Sequence, residues 1–284
     1  MIIKPNYRSL IFSDLDGCFL DHNDYQFNHA IDQAQKLEVL GIPLIFNSSK
    51  TSSEIKSLCA EIENRHPFIV ENGSAVFIPK NYFSCRAHQK TSTLHYEVFP
   101  FSRERQHWLE CIDILKPKFG GDFVNFNDLS LDEVIDLTGL KKDDAIAAMD
   151  RQYSEPVFWR SSQMRRTKFI TSLQEKGATV KQGGRFLSVG GDCDKGTALI
   201  WLRQLFATEL SINPVNDLAI GDSENDLPML EAAQEALLIR SPNHTFPNLN
   251  RASGVFKSKK FGPKGWTEGI ASWLQRHKIN QGEC

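Results

Sequence analysis

Short apolar runs that end in polar loops are the most regular feature of this sequence. Residues 10–12 and 42–46 form two such runs, and a segment with apolar residues at helical spacing follows each of them. Similar runs lie at 68–70, 218–220 and 236–239. A short continuous apolar run is typical of a strand that is buried on both faces of a parallel sheet. The pattern therefore predicts an α/β fold with a doubly wound parallel-sheet core.

Helix-capping residues mark where the predicted helices begin and end. Gly41 follows the first helical segment, at the position where a left-handed residue commonly ends a helix. Thr51 and Glu54 have the spacing of a capping box, and Asp194 precedes another segment with one apolar face. These signals predict helices that begin directly after Thr51 and Asp194.

The middle of the chain does not follow this alternation of strand and helix. Extended segments are predicted at 94–100, 156–159, 178–182 and 185–189, and helical segments at 103–115, 131–150 and 162–175. Gly183 and Gly184 separate the last two extended segments, which is the signal of a two-residue hairpin turn. We therefore predict an α+β domain at 85–188, inserted as a cap into a core formed by 1–84 and 189–284.

The composition is that of an ordinary globular chain. The chain has 284 residues, with 33 basic and 35 acidic side chains for a formal net charge of −2, and 40% of its residues are hydrophobic. These values exclude disorder as the dominant state. The sequence has no cluster of Lys and Arg that would suit a nucleic acid or a membrane surface. We therefore expect small-molecule partners, with no nucleic acid and no membrane.

The cysteines and the N-terminal region favour a cytoplasmic location. The six cysteines include no CxxC pair and no spacing typical of a zinc site, so we interpret them as free thiols. Asp14 and Asp16 interrupt what would have to be the apolar part of a signal peptide. No uncharged run approaches the roughly 18 apolar residues of a membrane helix.

Two of the predicted strands end in acidic loops. Asp14 and Asp16 follow the first strand, and Asp222 and Asp226 follow the strand at 218–220. Because parallel strands point the same way, both loops emerge at one edge of the sheet. Four carboxylates that converge there would repel one another unless a cation neutralised them, and hard oxygen ligands suit Mg²⁺. The alternative, that the acids only cap helices or solvate loops, is less favoured because both loops directly follow apolar strands.

Four motifs in order along the chain resemble those of the haloacid dehalogenase superfamily of phosphohydrolases. They are the segment 14–18, Ser48 after the second strand, Lys195, and the segment 221–226. The resemblance spans the whole chain and implies a Rossmann-like core with a large α/β cap. Further segments resemble the mannosyl-3-phosphoglycerate phosphatases of this superfamily: 47–51, 71–73, 153–156, 183–186 and 190–196. The resemblance implies a Mg²⁺-dependent phosphatase acting on a sugar phosphate, most closely mannosyl-3-phosphoglycerate.

The resemblance assigns the chemistry to the acids and to one lysine. Asp14 would attack phosphorus to form an aspartyl-phosphate and would also contact the metal. Asp16 would protonate the leaving alkoxide, deprotonate the hydrolytic water, and add its backbone carbonyl to the metal. Asp222 would bind Mg²⁺ through its side chain, and Asp226 would be a ligand or a partner of one. Lys195, at the start of a helix, would pair with Asp14 and the phosphate.

Four further residues are candidate substrate contacts. Ser48 would give its hydroxyl and backbone N–H to a phosphate oxygen, although serine is also common where a helix begins. Asn225 would contact the substrate, orient the metal-binding acid or the lysine, or serve only as a turn residue. In the cap, Arg185 would bind a glycerate carboxylate or a sugar phosphate, unless it only faces solvent. Glu155 is a similar candidate in the cap.

Cys18 departs from the superfamily pattern, which usually has Thr at this position. The expected phosphate contact there is the backbone N–H, so we expect the substitution to be tolerated. The cysteine nevertheless introduces an oxidisable thiol near the site.

Other functions remain open for a chain with these motifs. A phosphosugar mutase would use a similar cap, and a broad sugar-phosphate phosphatase would use the same fold. A non-catalytic binding module would keep the fold, but the intact acids and lysine argue against it. A dinucleotide-binding protein is disfavoured because no GxGxxG follows the first strand.

Overall fold

A parallel sheet with helices on both faces forms the core, and a smaller antiparallel domain is inserted into it. The computed structural model describes residues 9–83, 91–183, 185–211 and 215–279. The strands are β1 (Ser9–Ser13), β2 (Leu44–Phe46), β3 (Phe68–Val70), β4 (Ala75–Pro79), β5 (Thr91–Ser92), β6 (Tyr96–Pro100), β7 (Phe123–Asn125), β8 (Glu155–Trp159), β9 (Thr179–Gln182), β10 (Leu187–Gly190), β11 (Asn216–Gly221), β12 (Glu235–Arg240) and β13 (Val255–Phe261). The helices are α1 (Asn28–Val39), α2 (Ser52–Glu61), α3 (Arg105–Asp113), α4 (Lys116–Phe119), α5 (Leu131–Thr138), α6 (Lys142–Met149), α7 (Gln163–Gln174), α8 (Lys195–Leu210), α9 (Leu227–Ala232) and α10 (Gly262–Arg276).

The core sheet has the order β13-β12-β11-β1-β2, and all of its pairings are parallel. Leu10 and Phe12 of β1 pack in one apolar layer with residues of α8 and α9. Ile11 packs in the opposite layer with residues of α1, α2 and α10. Because successive side chains of a strand point to opposite faces, both layers require apolar residues, and the strand is a continuous apolar run. The predicted α/β class with a doubly wound parallel-sheet core is confirmed.

The helix boundaries follow the capping signals of the sequence. Thr51 Oγ1 accepts the Glu54 N–H at 3.1 Å, and Glu54 accepts the Thr51 N–H at 2.8 Å, which completes the capping box of α2. Asp194 Oδ1 accepts the Thr197 N–H at 2.7 Å at the start of α8. Both predicted helix starts are confirmed. Among the described residues, each helix is too short or too polar to cross a lipid bilayer.

The inserted domain contains the antiparallel sheet β7-β8-β10-β9 and the helices α3 to α7. The predicted hairpin is present as the antiparallel pair of β9 and β10, although Gly184 lies outside the described residues. The helical segment predicted at 131–150 is divided at Gly139, which ends α5 with a φ of +75° before α6 begins. The α+β character of the insertion is therefore confirmed.

A second antiparallel sheet, β3-β4-β6-β5, lies where the chain enters the inserted domain. The boundary predicted at residue 85 assigns β5 and β6 to the cap. β6 pairs along its length with β4, and Val98 and Phe99 pack in the two apolar layers of the core. This pairing favours a boundary near residue 101, and the division into 1–84, 85–188 and 189–284 stays a prediction.

The cysteines that the structure describes are Cys18, Cys59, Cys111 and Cys193. All four are free thiols, as expected. Cys85 and Cys284 lie outside the described residues.

Candidate active site

The acidic loops lie where the winding of the sheet reverses. β1 pairs in parallel with β2 on one side and with β11 on the other. Asp14 follows β1 and Asp222 follows β11, and the Asp14 N–H donates to Ile220 O at 2.9 Å. Ligands of open α/β sheets bind in the crevice at such a switch point. The topology therefore brings both predicted loops to the expected edge.

Three of the predicted acids form one buried cluster. A carboxylate oxygen from each of Asp14, Asp222 and Asp226 lies within 4.8 Å of the other two. The residues are 5%, 3% and 0% exposed, respectively. Close approach of the loops requires glycine at position 17, because a Cβ atom on Gly17 would lie 2.6 Å from Asp222 Oδ2. The two loops therefore converge, as the parallel sheet predicts.

Lys195 neutralises part of this charge from inside the protein. Its fully buried Nζ lies 2.8 Å from Asp14 Oδ1 and 2.6 Å from Asp226 Oδ1. Burial alone would lower the pKa of Lys195, but the Asp14 and Asp226 carboxylates outweigh it and raise this pKa above its ordinary value. Lys195 is therefore a fixed cation beside Asp14, in the pairing that the resemblance implies.

Asp226 uses both of its carboxylate oxygens within the protein. Oδ1 accepts a hydrogen bond from Lys195, and Oδ2 accepts from the backbone N–H groups of Asp222 at 3.0 Å and Ser223 at 3.1 Å. The sequence left open whether Asp226 is a metal ligand or a partner of one. These contacts favour a partner that orients Lys195 and the loop at 222–226.

The raised pKa values of Asp14 and Asp222 reflect burial and an excess of negative charge in the cluster. Burial, followed by the nearby Asp226 carboxylate, raises the pKa of Asp14 well above its usual value despite Lys195. Burial and Asp226 also raise the pKa of Asp222 to about 7. Three carboxylates thus face a single ammonium group, and the cluster lacks positive charge when its acids are ionised.

A divalent cation would supply the missing charge at this cluster. The donor atoms are carboxylate oxygens, which are the hard ligands that Mg²⁺ prefers. Asp14 and Asp222 are the residues that would hold the ion, because Asp226 is engaged with Lys195 and backbone N–H groups. The residues present therefore fit the expected metal.

The side chain of Asp16 lies outside this cluster and pairs with Lys50. Lys50 Nζ is 3.1 Å from Asp16 Oδ1 and 3.3 Å from Glu54 Oε1. Although burial opposes it, these two acids raise the pKa of Lys50. The Asp16 side chain is 39% exposed. Lys50 was not among the predicted site residues, although it lies in the 47–51 segment that carries part of the resemblance.

Ser48 lies in the site but offers less to a phosphate than the sequence analysis expects. Its backbone N–H donates to Ile69 O at 3.1 Å, so the prediction that this N–H binds phosphate is wrong. The cause is that the chain after β2 continues alongside β3, with a bridge between Asn47 and Ile69. The Ser48 hydroxyl accepts the Lys50 N–H at 3.3 Å and keeps its own proton to donate.

The backbone N–H of Cys18, another expected phosphate contact, is also engaged within the protein. The Cys18 N–H donates to Leu15 O at 3.1 Å within the loop, so this N–H is not free for a phosphate. The side chain is fully buried, and burial together with Asp222 and Asp14 raises the pKa of the thiol well above its ordinary value. Because the thiolate is the reactive form, these surroundings suppress the oxidation that the sequence suggested.

Asn225 faces a neighbouring turn. Its Nδ2 donates to Asn72 Oδ1 at 3.3 Å, and its Oδ1 accepts the Ser223 hydroxyl at 2.5 Å. In the structure as described, its amide therefore orients neither Asp222 nor Lys195, which corrects that expectation. A substrate contact through Asn225 stays a prediction.

Glu155 is a buried structural residue of the inserted domain. Its carboxylate accepts hydrogen bonds from Arg105 Nε at 2.5 Å, Asn125 Nδ2 at 3.2 Å and the Asn127 N–H at 2.8 Å. The side chain has no exposed surface. The structure thus gives Glu155 internal partners, which contradicts its expected role as a substrate contact.

Arg185 binds the end of a helix. Its Nη1 donates to Leu137 O at 2.9 Å and to Thr138 O at 3.2 Å, where the last carbonyls of α5 lack helical partners. The side chain is exposed. In this arrangement Arg185 caps the C-terminal end of α5, and its guanidinium does not form the expected contact with a substrate anion.

Three further residues lie near the site, and of these only Glu71 belongs to a segment, 71–73, that carries part of the resemblance. His244 Nε2 lies 3.4 Å from Asp222 Oδ2 and comes from the loop after β12. Glu71 and Arg151 join the core to the inserted domain with 3.5 Å between Arg151 Nε and Glu71 Oε2. Contacts between distant segments depend on the fold, and the spacing of residues does not reveal them.

Solved structures share this fold at low sequence identity. A Thermoplasma acidophilum protein is 14% identical, with a TM-score of 0.66 over 96% of this chain and 99% of that chain. A sucrose-phosphatase from Synechocystis, solved with sucrose and phosphate, is 15% identical, with a TM-score of 0.57 over 94% of this chain and 98% of that chain. These similarities support the core with an inserted domain.

Curated relatives match at higher identity and over nearly the whole chain. A Persephonella marina protein named glucosyl-3-phosphoglycerate/mannosyl-3-phosphoglycerate phosphatase is 34% identical, over 97% of this chain and all of its own length. A Pyrococcus furiosus protein named mannosyl-3-phosphoglycerate phosphatase is 34% identical, over 83% of this chain and 92% of its own length. Residues 11–246 match the model of the haloacid dehalogenase-like hydrolases. The chain therefore belongs to the haloacid dehalogenase-like hydrolase family, and it is a phosphatase of that family.

Proposed function

We propose that this phosphatase is Mg²⁺-dependent and hydrolyses mannosyl-3-phosphoglycerate through an aspartyl-phosphate. The observation that carries the reaction type is the buried pair at the switch point, where Lys195 Nζ lies 2.8 Å from Asp14 Oδ1. A carboxylate nucleophile, a fixed cation and a metal-binding acid such as Asp222 are a sufficient set for phosphoryl transfer. The substrate is supported by the relatives from Persephonella marina and Methanococcoides burtonii, whose names specify glucosyl- and mannosyl-3-phosphoglycerate.

The first half of the reaction transfers the phosphoryl group to Asp14. A carboxylate oxygen of Asp14 forms a bond to phosphorus while the bond to the ester oxygen breaks. Asp16, which must first be protonated and separated from the Lys50 ammonium, gives its proton to the departing alkoxide. Lys195 holds the Asp14 carboxylate in place and offsets its repulsion of the anionic substrate. Mg²⁺, when bound by Asp14 and Asp222, supplies further charge neutralisation between nucleophile and phosphate.

The second half releases inorganic phosphate. Asp16, now a carboxylate, takes a proton from water as the water oxygen attacks phosphorus. The bond between Asp14 and phosphorus breaks, which regenerates the Asp14 carboxylate. Asp16 suits both steps because its side chain is 39% exposed and belongs to the same loop as Asp14.

The inserted domain selects the substrate in this proposal. The nucleophile, the acid, the lysine and the metal-binding acids all belong to the core, so the domain is free to contact the sugar and the glycerate. An enclosed pocket excludes water and uses binding contacts remote from phosphorus to improve the reacting geometry. The Ser48 hydroxyl and Asn225 are the core groups proposed to contact the substrate. A cytoplasmic location, supported by the free thiols, belongs to the same proposal.

A panel of phosphate esters tests this function against its alternatives. Phosphate release is measured with Mg²⁺ on mannosyl-3-phosphoglycerate, glucosyl-3-phosphoglycerate, hexose phosphates and p-nitrophenyl phosphate, and again with EDTA. We expect kcat/KM for the two glycosyl phosphoglycerates to exceed that for hexose phosphates at least about 100-fold. Equal values would indicate a broad phosphatase. Phosphate transfer that requires a bisphosphate activator would indicate a mutase, and no turnover of any ester would indicate a binding module.

A further inference from the structure

The turn formed by Glu71, Asn72 and Gly73 has an unusual backbone. Its three residues have φ values of +47°, +59° and +90°, respectively. Glycine adopts such values readily, whereas a glutamate and an asparagine do so only at an energetic cost. Residues in this region persist where their surroundings hold them, and they concentrate at functional sites. The contacts of the turn therefore indicate what it is built to hold.

The backbone of the turn fixes the loop after β2. The Glu71 N–H donates to Lys50 O at 3.0 Å, and the Asn72 N–H donates to Ser48 O at 2.9 Å. This loop carries the Ser48 hydroxyl, and it carries the Lys50 ammonium that pairs with Asp16. The turn thus holds the proposed phosphate-binding loop through main-chain hydrogen bonds.

The same turn touches two further segments of the site. A Cβ atom on Gly73 would lie 2.0 Å from Asp194 O, so the turn packs directly on the residue before Lys195. Asn72 Oδ1 accepts a hydrogen bond from Asn225, which lies in the loop that begins at Asp222. A shift of this turn would therefore be transmitted to the segments that carry Ser48, Lys195 and Asp222.

The Glu71 side chain points to the inserted domain. Its buried carboxylate accepts hydrogen bonds from the Gln152 N–H at 2.8 Å, the Tyr153 N–H at 3.2 Å and the Ser154 hydroxyl at 2.6 Å. Residues 152–154 connect α6 to β8 within the inserted domain. One side chain of the core thus holds three consecutive residues of that domain.

Arg151 makes the reciprocal contact from the inserted domain to the core. Its Nη2 donates to Ser49 O at 2.8 Å, so the carbonyls of 48, 49 and 50 are all held from outside their loop. Its Nε lies 3.5 Å from Glu71 Oε2 and donates to the Ser154 hydroxyl at 3.2 Å. The Arg151 and Glu71 side chains are 10% and 1% exposed. Because water screens neither charge well at this interface, each charge stabilises the other.

We infer that Glu71 and Arg151 are positioning residues that hold the inserted domain docked against the Ser48–Lys50 loop. The inference rests on the proposed function, because the docked domain is what encloses a glycosyl phosphoglycerate. Removing either charge leaves the other buried without its partner, which disfavours the docked state. If only a fraction of molecules is docked, the apparent affinity for a substrate that needs the domain falls by that fraction.

Glu71→Gln and Arg151→Met test this pair on a large and a small substrate. We expect each to raise KM for mannosyl-3-phosphoglycerate about 10–100-fold while kcat stays within about threefold, because bound substrate restores docking. The kinetics of p-nitrophenyl phosphate should change less than about threefold, since backbone N–H groups still hold Ser48 and Lys50. The KM of the double variant should not exceed that of the more impaired single variant, because the two residues form one unit.

Hydrogen exchange supplies a readout that needs no substrate. In both variants we expect faster exchange in peptides covering 147–155 than in the wild type. Arg165→Met is the matched control, because Arg165 pairs with Asp122 entirely inside the inserted domain. It should leave exchange at 147–155 and the KM unchanged. If the charge variants fold poorly, Ser154→Ala replaces them in the test, because it keeps both charges. It should give the same changes in exchange and KM, but smaller ones.

Several results would overturn the inference. Unchanged exchange at 147–155 in Glu71→Gln would mean that the pair does not hold the domain. Equal losses on both substrates would mean that the turn supports the core chemistry itself. A loss in Arg151→Met without one in Glu71→Gln would mean that Arg151 binds the substrate directly. If the wild type does not hydrolyse glycosyl phosphoglycerates, the proposed function fails, and the exchange experiment still decides the role of the pair.

Discussion

The Lys195 ammonium group lies 2.8 Å from the Asp14 carboxylate, and both side chains are shielded from solvent. The lysine cannot leave this position without abandoning a second carboxylate, Asp226, at 2.6 Å. The charge that the nucleophile needs beside it is therefore built into the fold before any substrate arrives. Preorganised charge of this kind is worth most in a buried site, where water does not screen it.

Replacing Lys195 should affect both stability and activity. Lys195→Met keeps the length of the side chain but leaves two buried carboxylates without a cation, so we expect a loss of about 3–5 kcal/mol in the free energy of unfolding. Phosphate release should fall at least about 1,000-fold. Denaturant unfolding and initial rates measure the two effects. Lys264→Met, at an exposed position in the first turn of α10, should change neither. Wild-type rates in Lys195→Met would contradict the assignment.

Gly17→Ala tests the contact between the two acidic loops. The added Cβ would lie 2.6 Å from Asp222 Oδ2 at a backbone φ of +76°. Gly139→Ala is the matched control, because its φ is +75° and nothing lies within 4 Å of the added atom. Both variants should lose roughly 1 kcal/mol through backbone strain. Only Gly17→Ala should also weaken Mg²⁺ binding, so that a metal titration of activity requires a higher Mg²⁺ concentration for half-maximal rate. Equal titrations for the two variants would exclude the contact.

The placement of Asp14 and Asp222 shows what the sequence pattern can predict, whereas the pairing of Lys195 with Asp14 was implied by the family resemblance. Apolar runs place the strands, and parallel strands bring the loops after residues 13 and 221 to one edge of the sheet. That reasoning requires only local pattern and topology. It correctly brings together groups more than 200 residues apart in the sequence.

The incorrect expectations concern hydrogen bonds that local pattern does not determine. The Ser48 N–H is taken by Ile69, and Glu155 is enclosed by Arg105 and two asparagines. Arg185 binds the end of α5, which the sequence places nearly fifty residues away. Each of these partners is set by how distant segments pack, so the spacing of residue types does not reveal it.

The stability of the metal-free protein should fall as the pH rises towards neutrality. Burial and Asp226 raise the pKa of Asp222 to about 7, from an ordinary value of 3.8 in the unfolded chain. Between these values the native state binds more protons than the unfolded state, so the Asp222 contribution to stability decreases with increasing pH. Mg²⁺ replaces that proton, and the rise in Tm on adding Mg²⁺ should therefore be larger at pH 8 than at pH 5.5.

Calorimetry with Mg²⁺ or EDTA at the two pH values measures this linkage. Asp222→Asn has no carboxyl group to titrate at this position. In this variant the rise in Tm on adding Mg²⁺ should be mostly lost, together with the difference between the two pH values. A rise in Tm that is as large at pH 5.5 as at pH 8 would contradict the coupling between metal and proton.

Asp16→Asn should separate the two halves of the reaction. A sugar alkoxide needs a proton to leave, so kcat for mannosyl-3-phosphoglycerate should fall about 100–10,000-fold. The p-nitrophenolate anion leaves without one, so p-nitrophenyl phosphate should give a burst of about one equivalent per enzyme, followed by slow turnover. Stopped-flow absorbance measures the burst. A slow first turnover on p-nitrophenyl phosphate would show that Asp16 does not act as the proton donor.

The covalent intermediate on Asp14 provides the most direct test of the account. The enzyme is mixed with Mg²⁺ and mannosyl-3-phosphoglycerate carrying radioactive phosphate, quenched in acid during turnover, and digested for peptide mapping. We predict an acid-stable, hydroxylamine-labile label on the peptide that contains Asp14, and no label in Asp14→Asn, whose phosphate release should fall by orders of magnitude. Label on any other residue, or near-normal turnover by Asp14→Asn, would contradict the central claim.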